Sequence, residues 1–419
     1  MAKISSSATT YQQPDRPLEF SLLNLLGDKV NLDWFPLLDL SEDSLLEAAQ
    51  RQTGLADWGD ESFRLRLRKL LESLDREANL NLVGRYFLRQ YCLKLLVNRL
   101  QMQADFKRYP EILSVPIQKP LFIVGLFRSG TTFLHNLLGC DRASRWLHLG
   151  EALNPSPPPI EATWKDDPRL VEEGKWIEFE NSLAPKFATA HYINVDRPAE
   201  CSRLFEHDFV AHLFDFRANV NSYSEWLQNQ DLVDSYQDYR QQLQYLSWHW
   251  RGDRWLMKAP AHIFALDALL AVFPDACIVQ THRDPLKVIP SVCSLSAIAR
   301  SRFSDRVEPQ EIGKHWLNLL TKGVEDAMQV RETADAARFY DVDYLNFVRD
   351  PIATVTQIYE YFGYELTPET TARMKDWIEQ NPQHKRGVHK YSLDQFGLDP
   401  QQVKEKFAQY RDRYHLDRE

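Results

Sequence analysis

A glycine-rich loop between an apolar run and a helical pattern is the clearest chemical signal in the sequence. The segment PLFIVGLFRSGTTFLHNLLG contains the apolar run 121–124, then Gly125 and a polar loop, before a helix predicted to begin at Thr131. In such a loop the backbone N–H groups and the positive end of the helix point at one place, where an anion binds. The residues predicted to bind a phosphate group are Arg128, Ser129, Gly130, Thr131 and Thr132.

This loop differs at one position from the phosphate loop of nucleoside-triphosphate enzymes. In the pattern G-x-x-x-x-G-K-[ST] a lysine reaches the β- and γ-phosphates, and here Thr131 stands in its place. The basic residue comes earlier, at Arg128. The loop therefore favours a 5′-phosphate-type ligand without a γ-phosphoryl group, and a nucleoside-triphosphate-dependent kinase is the alternative.

A second basic position follows another apolar strand. In ACIVQTHRDPLKVIPSVCSL, Arg283 follows the predicted strand 276–281, and Ser291 lies eight residues further along a helix predicted from about Pro285. Open α/β sheets bind ligands at the carboxyl ends of their strands, and a guanidinium suits a doubly charged phosphate. The alternative is a surface arginine held in a salt bridge.

Together these motifs resemble those of the sulfotransferases that use 3′-phosphoadenosine 5′-phosphosulfate (PAPS). FRSGTT after an apolar strand resembles the family's 5′-phosphosulfate loop, and Arg283 with Ser291 resembles its 3′-phosphate motif. The resemblance covers about residues 118–390 and implies PAPS as co-substrate, with no metal. Because Arg128 stands where the cytosolic small-molecule branch has lysine, the chain is more similar to the tyrosylprotein and bacterial branches.

The segment QHKRGVHKYSL extends the resemblance toward the C-terminus. It is similar to the family's Arg/Lys-Gly segment, which closes on the 3′-phosphate and the adenine. By itself it would be only a solvated basic cluster. The resemblance implies cofactor-binding roles for Lys385, Arg386 and Gly387.

Sulfuryl transfer also needs a general base beside the incoming hydroxyl or amine. Glu151, in a Gly-Glu step after a predicted strand over 144–150, resembles the catalytic carboxylate of the tyrosylprotein and some bacterial members. His262, in LMKAPAHIF, is predicted to open the next helix, near 262–272, and is the second candidate base or an acceptor contact. Lys258, at the end of the predicted strand 254–258, is assigned to steering the transferred group. The structural alternatives are that Glu151 caps the chain ahead of Pro155 and that His262 bonds to backbone.

Alternation of short apolar strands with helices predicts an α/β fold. We expect a P-loop-like parallel sheet flanked by helices, with a helical N-terminal subdomain and helical inserts. The predicted strands are 121–124, 144–150, 254–258, 276–281 and 337–340. The predicted regions are a flexible arm over 1–19, a helical subdomain over 20–115 with a helix near 80–104, and a sulfotransferase domain over 116–419 with inserts about 160–250 and 305–335.

The first insert is rich in tryptophan, so it can either line an acceptor pocket or pack the insert against the sheet. If it lines the pocket, the acceptor is a small and lipophilic molecule. The tryptophans concerned are Trp164, Trp176, Trp226, Trp248 and Trp250.

Composition narrows the class of protein further. The 419 residues contain 50 Lys and Arg against 59 Asp and Glu, a net charge of −9, which argues against nucleic-acid binding by bulk positive charge. No apolar stretch approaches the roughly 20 residues of a membrane span, and the five scattered cysteines fit neither a disulfide framework nor a zinc site. We expect a cytoplasmic enzyme without a metal, and a catalytically inactive nucleotide-binding protein of the same fold is a further alternative.

Overall fold

A five-stranded parallel sheet forms the centre of the protein. The structure is a computed structural model that describes residues 17–27, 36–183, 197–382 and 391–417. The strands are β1 (Leu121–Gly125), β2 (Ser144–Trp146), β3 (Arg254–Lys258), β4 (Cys277–His282) and β5 (Phe339–Asp343). Their order across the sheet is β2-β3-β1-β4-β5, and each neighbouring pair is parallel.

Helices cover both faces of this sheet. The first group comprises α1 (Leu18–Gly27), α2 (Glu42–Thr53), α3 (Phe63–Arg76), α4 (Leu82–Arg108), α5 (Thr131–Leu138), α6 (Leu149–Leu153) and α7 (Pro168–Leu183). The second comprises α8 (Ser202–Phe205), α9 (Leu213–Arg217), α10 (Asn221–Leu227), α11 (Val233–Ser247), α12 (Leu266–Val272), α13 (Pro285–Arg300) and α14 (Pro309–Thr333). The third comprises α15 (Tyr344–Arg349), α16 (Pro351–Phe362), α17 (Pro368–Gln380), α18 (Pro400–Lys406) and α19 (Ala408–Arg413).

The sequence of strand β1 is apolar throughout and does not alternate between apolar and polar residues. All five of its residues are buried, because each face of the sheet is covered by helices. Phe122 and Val124 belong to a large core shared with the N-terminal helices and the first insert. Leu121 and Ile123 belong to a smaller core formed with α5, α16 and α17. The strand that carries the glycine-rich loop is therefore anchored on both faces.

The direction of the crossover connections reverses between β1 and β4. From β1 the chain passes through α5 to β2 at one edge of the sheet, and from β4 it passes through α13 and α14 to β5 at the other. Divergent connections leave a crevice at the carboxyl ends of the two strands, which is where ligands bind in open α/β sheets. Residues 126–130, called here the β1 loop, and Arg283 both lie at this crevice.

The predicted fold class is confirmed, and three element boundaries are corrected. The strand predicted over 144–150 ends at Trp146, because the backbone N–H of His148 donates to Glu151 Oε2 at 3.1 Å and starts helix α6. Glu151 therefore lies in the first turn of a helix. His262 lies in a 3₁₀ turn, Pro260–Phe264, that precedes α12 rather than at the start of that helix.

The last strand is also displaced from its predicted position. The sequence predicts an extended segment over 337–340, but Ala336–Arg338 forms a 3₁₀ turn in which the N–H of Ala337 donates to Asp335 Oδ1. The strand runs instead over Phe339–Asp343. The helix near 80–104 is present as α4, which begins after the cap residue Asn81 and is longer than predicted.

The tryptophans of the first insert pack within the protein. Trp164 lies 5.5 Å from Trp250 between ring centroids, and Trp176 lies 4.8 Å from Phe87 of helix α4. The remaining two, which pack against the large core, are Trp226 and Trp248. Core packing, the alternative to an aromatic acceptor wall, describes Trp176, Trp226 and Trp248, whereas Trp164 and Trp250 pack against each other and against His148.

Three features of the described ranges bear on the protein's class. No helix there combines the length and the apolar character that crossing a bilayer requires. No group of three or more His, Cys, Asp or Glu side chains is placed to hold a metal ion. All five cysteines carry free thiols.

Candidate active site

The β1 loop has a backbone conformation that few residues tolerate. Gly125, Arg128 and Gly130 have φ angles of 138°, 67° and 93°. A Cβ at Gly125 would lie 2.5 Å from the carbonyl oxygen of Thr281 in β4, and one at Gly130 would lie 3.0 Å from the ring of Tyr344. Glycine is therefore required at both ends of the loop. Arg128 is a non-glycine residue with positive φ, a kind of strain that clusters at functional sites.

Ser129 holds the loop in this shape. Its hydroxyl is fully buried, donates to the carbonyl of Leu126 at 2.5 Å and lies 2.7 Å from the hydroxyl of Thr281. The side chain of Ser129 is thus engaged inside the protein, so a role in binding a phosphate is left to the loop's shape. Thr131 is buried as well, whereas Thr132 is exposed at the first turn of α5.

The structure brings the two predicted phosphate motifs into direct contact. Arg128 Nε donates to Ser291 Oγ at 3.1 Å, and Arg283 Nη1 donates to the backbone carbonyl of Arg128 at 3.0 Å. The guanidinium of Arg283 also lies over the ring of Tyr344, 4.1 Å from its centroid. Two guanidinium groups therefore converge on the crevice between β1 and β4, beside the N-terminus of α5.

Lys258 reaches the same helix from the end of β3. Its ammonium donates to Thr132 Oγ1 at 3.4 Å and forms a close ion pair with Glu200 Oε1. The side chain of Lys258 is almost fully buried, whereas that of Glu200 keeps 22% of its surface exposed. The residue assigned to steering the transferred group thus lies beside the expected phosphate site, together with a carboxylate that the motifs did not indicate.

Glu151 is fully enclosed by its own neighbourhood. Arg145 Nη2 donates to Glu151 Oε1 at 2.5 Å, and the other carboxylate oxygen accepts the N–H of His148. The guanidinium of Arg145 is in turn held over Trp250, 4.0 Å from the ring centroid. Burial raises the pKa of Glu151, but Arg145 and His148 outweigh it and hold that pKa below its usual value.

His262 is also buried and has both ring nitrogens engaged. Its Nδ1 lies 2.7 Å from the hydroxyl of Tyr236, and its Nε2 lies 3.2 Å from the thiol of Cys201. Burial lowers the pKa of His262 to about 3, which is only partly offset by Glu200. The imidazole is therefore neutral at physiological pH and a weak base.

A narrow apolar cavity is lined by Ala259 and Ser202, which lie close in the chain to Lys258 and Glu200. Its volume is about 40 Å³, and none of the five tryptophans of the insert is among the residues that line it in the described part of the chain. Its polar lining residues are Ser202, His212, Tyr236 and His262. Its apolar lining includes Phe205, Val210, Leu227, Leu232 and Phe264.

Sequence patterns did not indicate two residues that complete this site. Glu200 pairs with Lys258 across 58 positions of sequence, and Tyr344 lies under both Gly130 and Arg283 from the end of β5. The available signal for Glu200 was indirect, since a lysine at the end of a buried strand requires a partner. The predicted cofactor residues Lys385, Arg386 and Gly387 lie outside the residues that the structure describes.

Comparison with known proteins identifies the fold and its chemistry. A family model described as "Sulfotransferase family" matches residues 120–369, which include both arginine motifs and Lys258. The chain belongs to the sulfotransferase family. It is an enzyme of sulfuryl transfer, and the resemblance noted in its loop and strand motifs is confirmed.

Solved bacterial sulfotransferases share the architecture over nearly their whole length. The crystal structure of STF1 from Mycobacterium tuberculosis H37Rv superposes with a TM-score of 0.78 at 35% identity, over 88% of this chain and 98% of that chain. That of STF9 from Mycobacterium avium superposes with a TM-score of 0.83 at 29% identity, over 93% of this chain and 99% of that chain. This likeness covers the helical N-terminal region as well as the sheet.

A curated relative adds the name of an acceptor. It is an omega-hydroxy-beta-dihydromenaquinone-9 sulfotransferase, Stf3, of Mycobacterium bovis, 24% identical over 318 residues. The match spans 71% of this chain and 76% of that protein.

Proposed function

We propose that this sulfotransferase uses PAPS as donor and transfers its sulfuryl group to a hydroxyl, or an amine, of a small lipophilic acceptor. The observation that carries the proposal is the convergence of Arg128 and Arg283 at the carboxyl ends of β1 and β4. Two guanidinium groups beside a helix N-terminus fit a ligand that carries one phosphate at each end of a nucleoside.

Each phosphate has its own set of residues under this proposal. The N-terminus of α5, with Thr131 and Thr132, binds the 5′-phosphosulfate, while Arg128 and Lys258 neutralise charge on the departing phosphate. Arg283 and Ser291 bind the 3′-phosphate at the end of β4. The group supplied when the donor is bound is an activated sulfuryl group. Closure of Lys385, Arg386 and Gly387 over the 3′-phosphate remains part of the proposal.

The acceptor is proposed from two observations. The cavity beside Lys258 is apolar apart from a few polar groups at its wall, as sites for lipophilic molecules are. A relative of the chain is named for a hydroxyl group on a menaquinone derivative. We therefore expect an acceptor whose hydroxyl is attached to an apolar segment.

Both predicted bases are engaged in the structure. Glu151 is paired with Arg145 and has no exposed surface, and both ring nitrogens of His262 are hydrogen-bonded. A proton reaches either group only if one of these contacts is broken. Action of Glu151 or His262 as a base therefore remains a proposal, and breaking such a contact would cost free energy. In the structure the two side chains hold their hydrogen-bond partners in place.

The donor is tested without knowledge of the acceptor. Thermal unfolding and calorimetry are recorded with 3′-phosphoadenosine 5′-phosphate and, separately, with Mg-ATP. A ligand bound only to the folded state stabilises it by about 2.7 kcal/mol at a hundredfold excess over Kd. We expect stabilisation by the bisphosphate. A response to Mg-ATP alone would support the kinase alternative, and tight bisphosphate binding without transfer to any acceptor would support the inactive one.

A further inference from the structure

Glu200 links the donor side of the site to the apolar cavity. One carboxylate oxygen pairs with Lys258, whose ammonium donates to Thr132 in the first turn of α5. The other oxygen accepts a hydrogen bond from Ser202 Oγ at 3.4 Å, and Ser202 lines the cavity. The carboxylate therefore lies between the expected position of the sulfuryl group and the cavity.

The backbone fixes this arrangement. The N–H of Cys201 donates to the carbonyl of Lys258 at 3.0 Å, which holds the segment that contains Glu200 against the end of β3. Ala259 and Ala261, which follow Lys258 closely, line the cavity from that side. The cavity and the ion pair thus share the carboxyl end of one strand, the edge of the sheet at which the β1 loop lies.

Accessibility separates Glu200 from the two bases predicted earlier. Its side chain keeps 22% of its surface exposed, whereas Glu151 has none and His262 has 2%. Glu200 is the carboxylate partner in the ion pair with Lys258, and a carboxylate oxygen is a group that can accept a proton. Of these three candidates, Glu200 combines a carboxylate with an exposed surface, contacts Lys258 directly and reaches the cavity through Ser202.

From this geometry we infer that Glu200 is the general base that takes the proton of the acceptor hydroxyl. The inference rests on the proposed function. As the acceptor oxygen forms its bond to sulfur, the bond between sulfur and the bridging phosphate oxygen breaks. The electron pair of that bond stays on the 5′-phosphate, close to Lys258, and the hydroxyl proton passes to Glu200. The products are a sulfate ester, 3′-phosphoadenosine 5′-phosphate and a protonated carboxyl group, which returns its proton to solvent.

The size of the cavity limits which acceptors fit beside Glu200. At about 40 Å³ it has room for a few carbon atoms, not for a whole drug-sized molecule. An acceptor with a short apolar group next to its hydroxyl would place that group in the cavity and the hydroxyl at Glu200. Simple alcohols and phenols are therefore suitable probes.

The test compares Glu200→Gln with the unmodified chain and with Glu325→Gln, an exposed glutamate on α14 as the matched control. Radiolabelled PAPS is supplied with 1-butanol, with 4-nitrophenol and with water alone. We expect Glu200→Gln to lower kcat for butanol by about 10²–10⁴-fold. The loss is smaller for 4-nitrophenol, whose acidic hydroxyl needs less help, and Glu325→Gln keeps full activity.

A purely structural role for Glu200 gives a different pattern. In that case Glu200→Gln would release Lys258, weaken binding of 3′-phosphoadenosine 5′-phosphate and reduce transfer to both acceptors equally. We expect instead unchanged bisphosphate affinity and the loss of the acidic limb of the pH-rate profile. Glu200→Asp, which keeps a carboxylate, should recover part of the rate.

Three results would overturn the inference. Equal kcat for Glu200→Gln and the unmodified chain would exclude Glu200 as the general base and would leave the proposed function intact. Weakened bisphosphate binding with an unaltered pH profile would reassign Glu200 to positioning Lys258. No transfer or hydrolysis of PAPS by the unmodified chain would refute the proposed function itself, and the role of Glu200 with it.

Discussion

Arg283 donates a hydrogen bond to the backbone carbonyl of Arg128 at 3.0 Å, across 155 positions of sequence. The contact ties the end of β4 to the β1 loop at the point where the crossover connections diverge. A second hydrogen bond joins the same two segments, because Arg128 donates to Ser291 in the helix that follows Arg283. The two phosphate motifs are thus one structural unit, in which each arginine helps to orient the other.

Removal of the Arg283 side chain should weaken the binding of nucleotides that carry a 3′-phosphate more than the binding of those that lack it. We expect Arg283→Ala to lower the affinity for 3′-phosphoadenosine 5′-phosphate by about 10–100-fold, since a hydrogen bond to a charged group is worth about 1.5–3 kcal/mol. Adenosine 5′-monophosphate, which lacks the 3′-phosphate, should lose much less. Isothermal calorimetry with both ligands measures the difference.

Arg283→Lys is the matched control for this prediction. It keeps the positive charge but loses the planar fork, so the affinity for the bisphosphate should lie between those of the Ala variant and the unmodified chain. Equal weakening of the two nucleotides by Arg283→Ala would exclude a 3′-phosphate role and leave Arg283 as a support for the β1 loop.

Gly130 should tolerate no side chain. Its φ is 93°, and an added Cβ would lie 3.0 Å from the ring of Tyr344. We therefore expect Gly130→Ala to cost about 1–3 kcal/mol of unfolding free energy and to weaken bisphosphate binding. Gly174→Ala in α7, where nothing lies within 4 Å of the added carbon, should stabilise the protein by up to about 1 kcal/mol. Urea unfolding of both variants measures these changes in unfolding free energy. Stabilisation of the protein by Gly130→Ala, to the same extent as by Gly174→Ala, would contradict the predicted strain.

Neutralising Glu151 should destabilise the fold. Breaking one side of a buried ion pair costs about 3–5 kcal/mol, so Glu151→Gln should lower the unfolding free energy near neutral pH by that order. Because the pKa of Glu151 is lowered in the fold, its contribution is present above the pKa of the unfolded chain and is lost as pH falls through the folded pKa. The difference from the unmodified chain should therefore shrink in acid.

Glu161→Gln, an exposed site, is the control and should change the unfolding free energy by less than about 0.5 kcal/mol. A variant of Glu151 that unfolds like the unmodified chain yet has lost turnover would restore the catalytic role that the Gly-Glu step predicted. Loss of stability with residual turnover would establish the structural role.

His262 should make stability depend on pH. Its pKa of about 3 in the fold lies below the ordinary value of 6.5, so the unfolded chain binds a proton that the folded chain does not. Stability should fall as pH drops below about 6.5, by about 1.4 kcal/mol per pH unit for this group, until pH approaches 3. Unfolding midpoints in urea at about pH 7.5, 6 and 5 measure the slope.

His262→Gln should reduce the dependence of the unfolding free energy on pH by the amount expected for one proton. The same change at His249, an exposed histidine, should leave that dependence unchanged. An unaltered slope in His262→Gln would show that the imidazole titrates normally. It would then be available as a base at neutral pH, and its assignment as a buried structural group would be wrong.

The local sequence predicted the parts of the site that depend on neighbouring residues. A strand, a glycine-rich loop and a helix follow each other within 121–138, so the apolar run and the two glycines were sufficient to predict that order of elements. Arg283 and Ser291 were found in the same way, since both belong to one strand-helix unit. Boundaries were less accurate where a cap intervened, as at His148 and Asp335.

Local sequence was enough to predict the alternation of strands and helices and the position of the β1 loop, without the usual phosphate-loop lysine, between a strand and a helix, because each depends on residues within about 20 positions. The pairing of Lys258 with Glu200 and the lining of the apolar cavity follow from the packed structure. Ion pairs and cavities are formed by side chains far apart in sequence, and their partners are chosen by the strand order and by the exclusion of water. For that reason Glu151, with the more recognisable motif, is enclosed by Arg145, while Glu200 lies at the site.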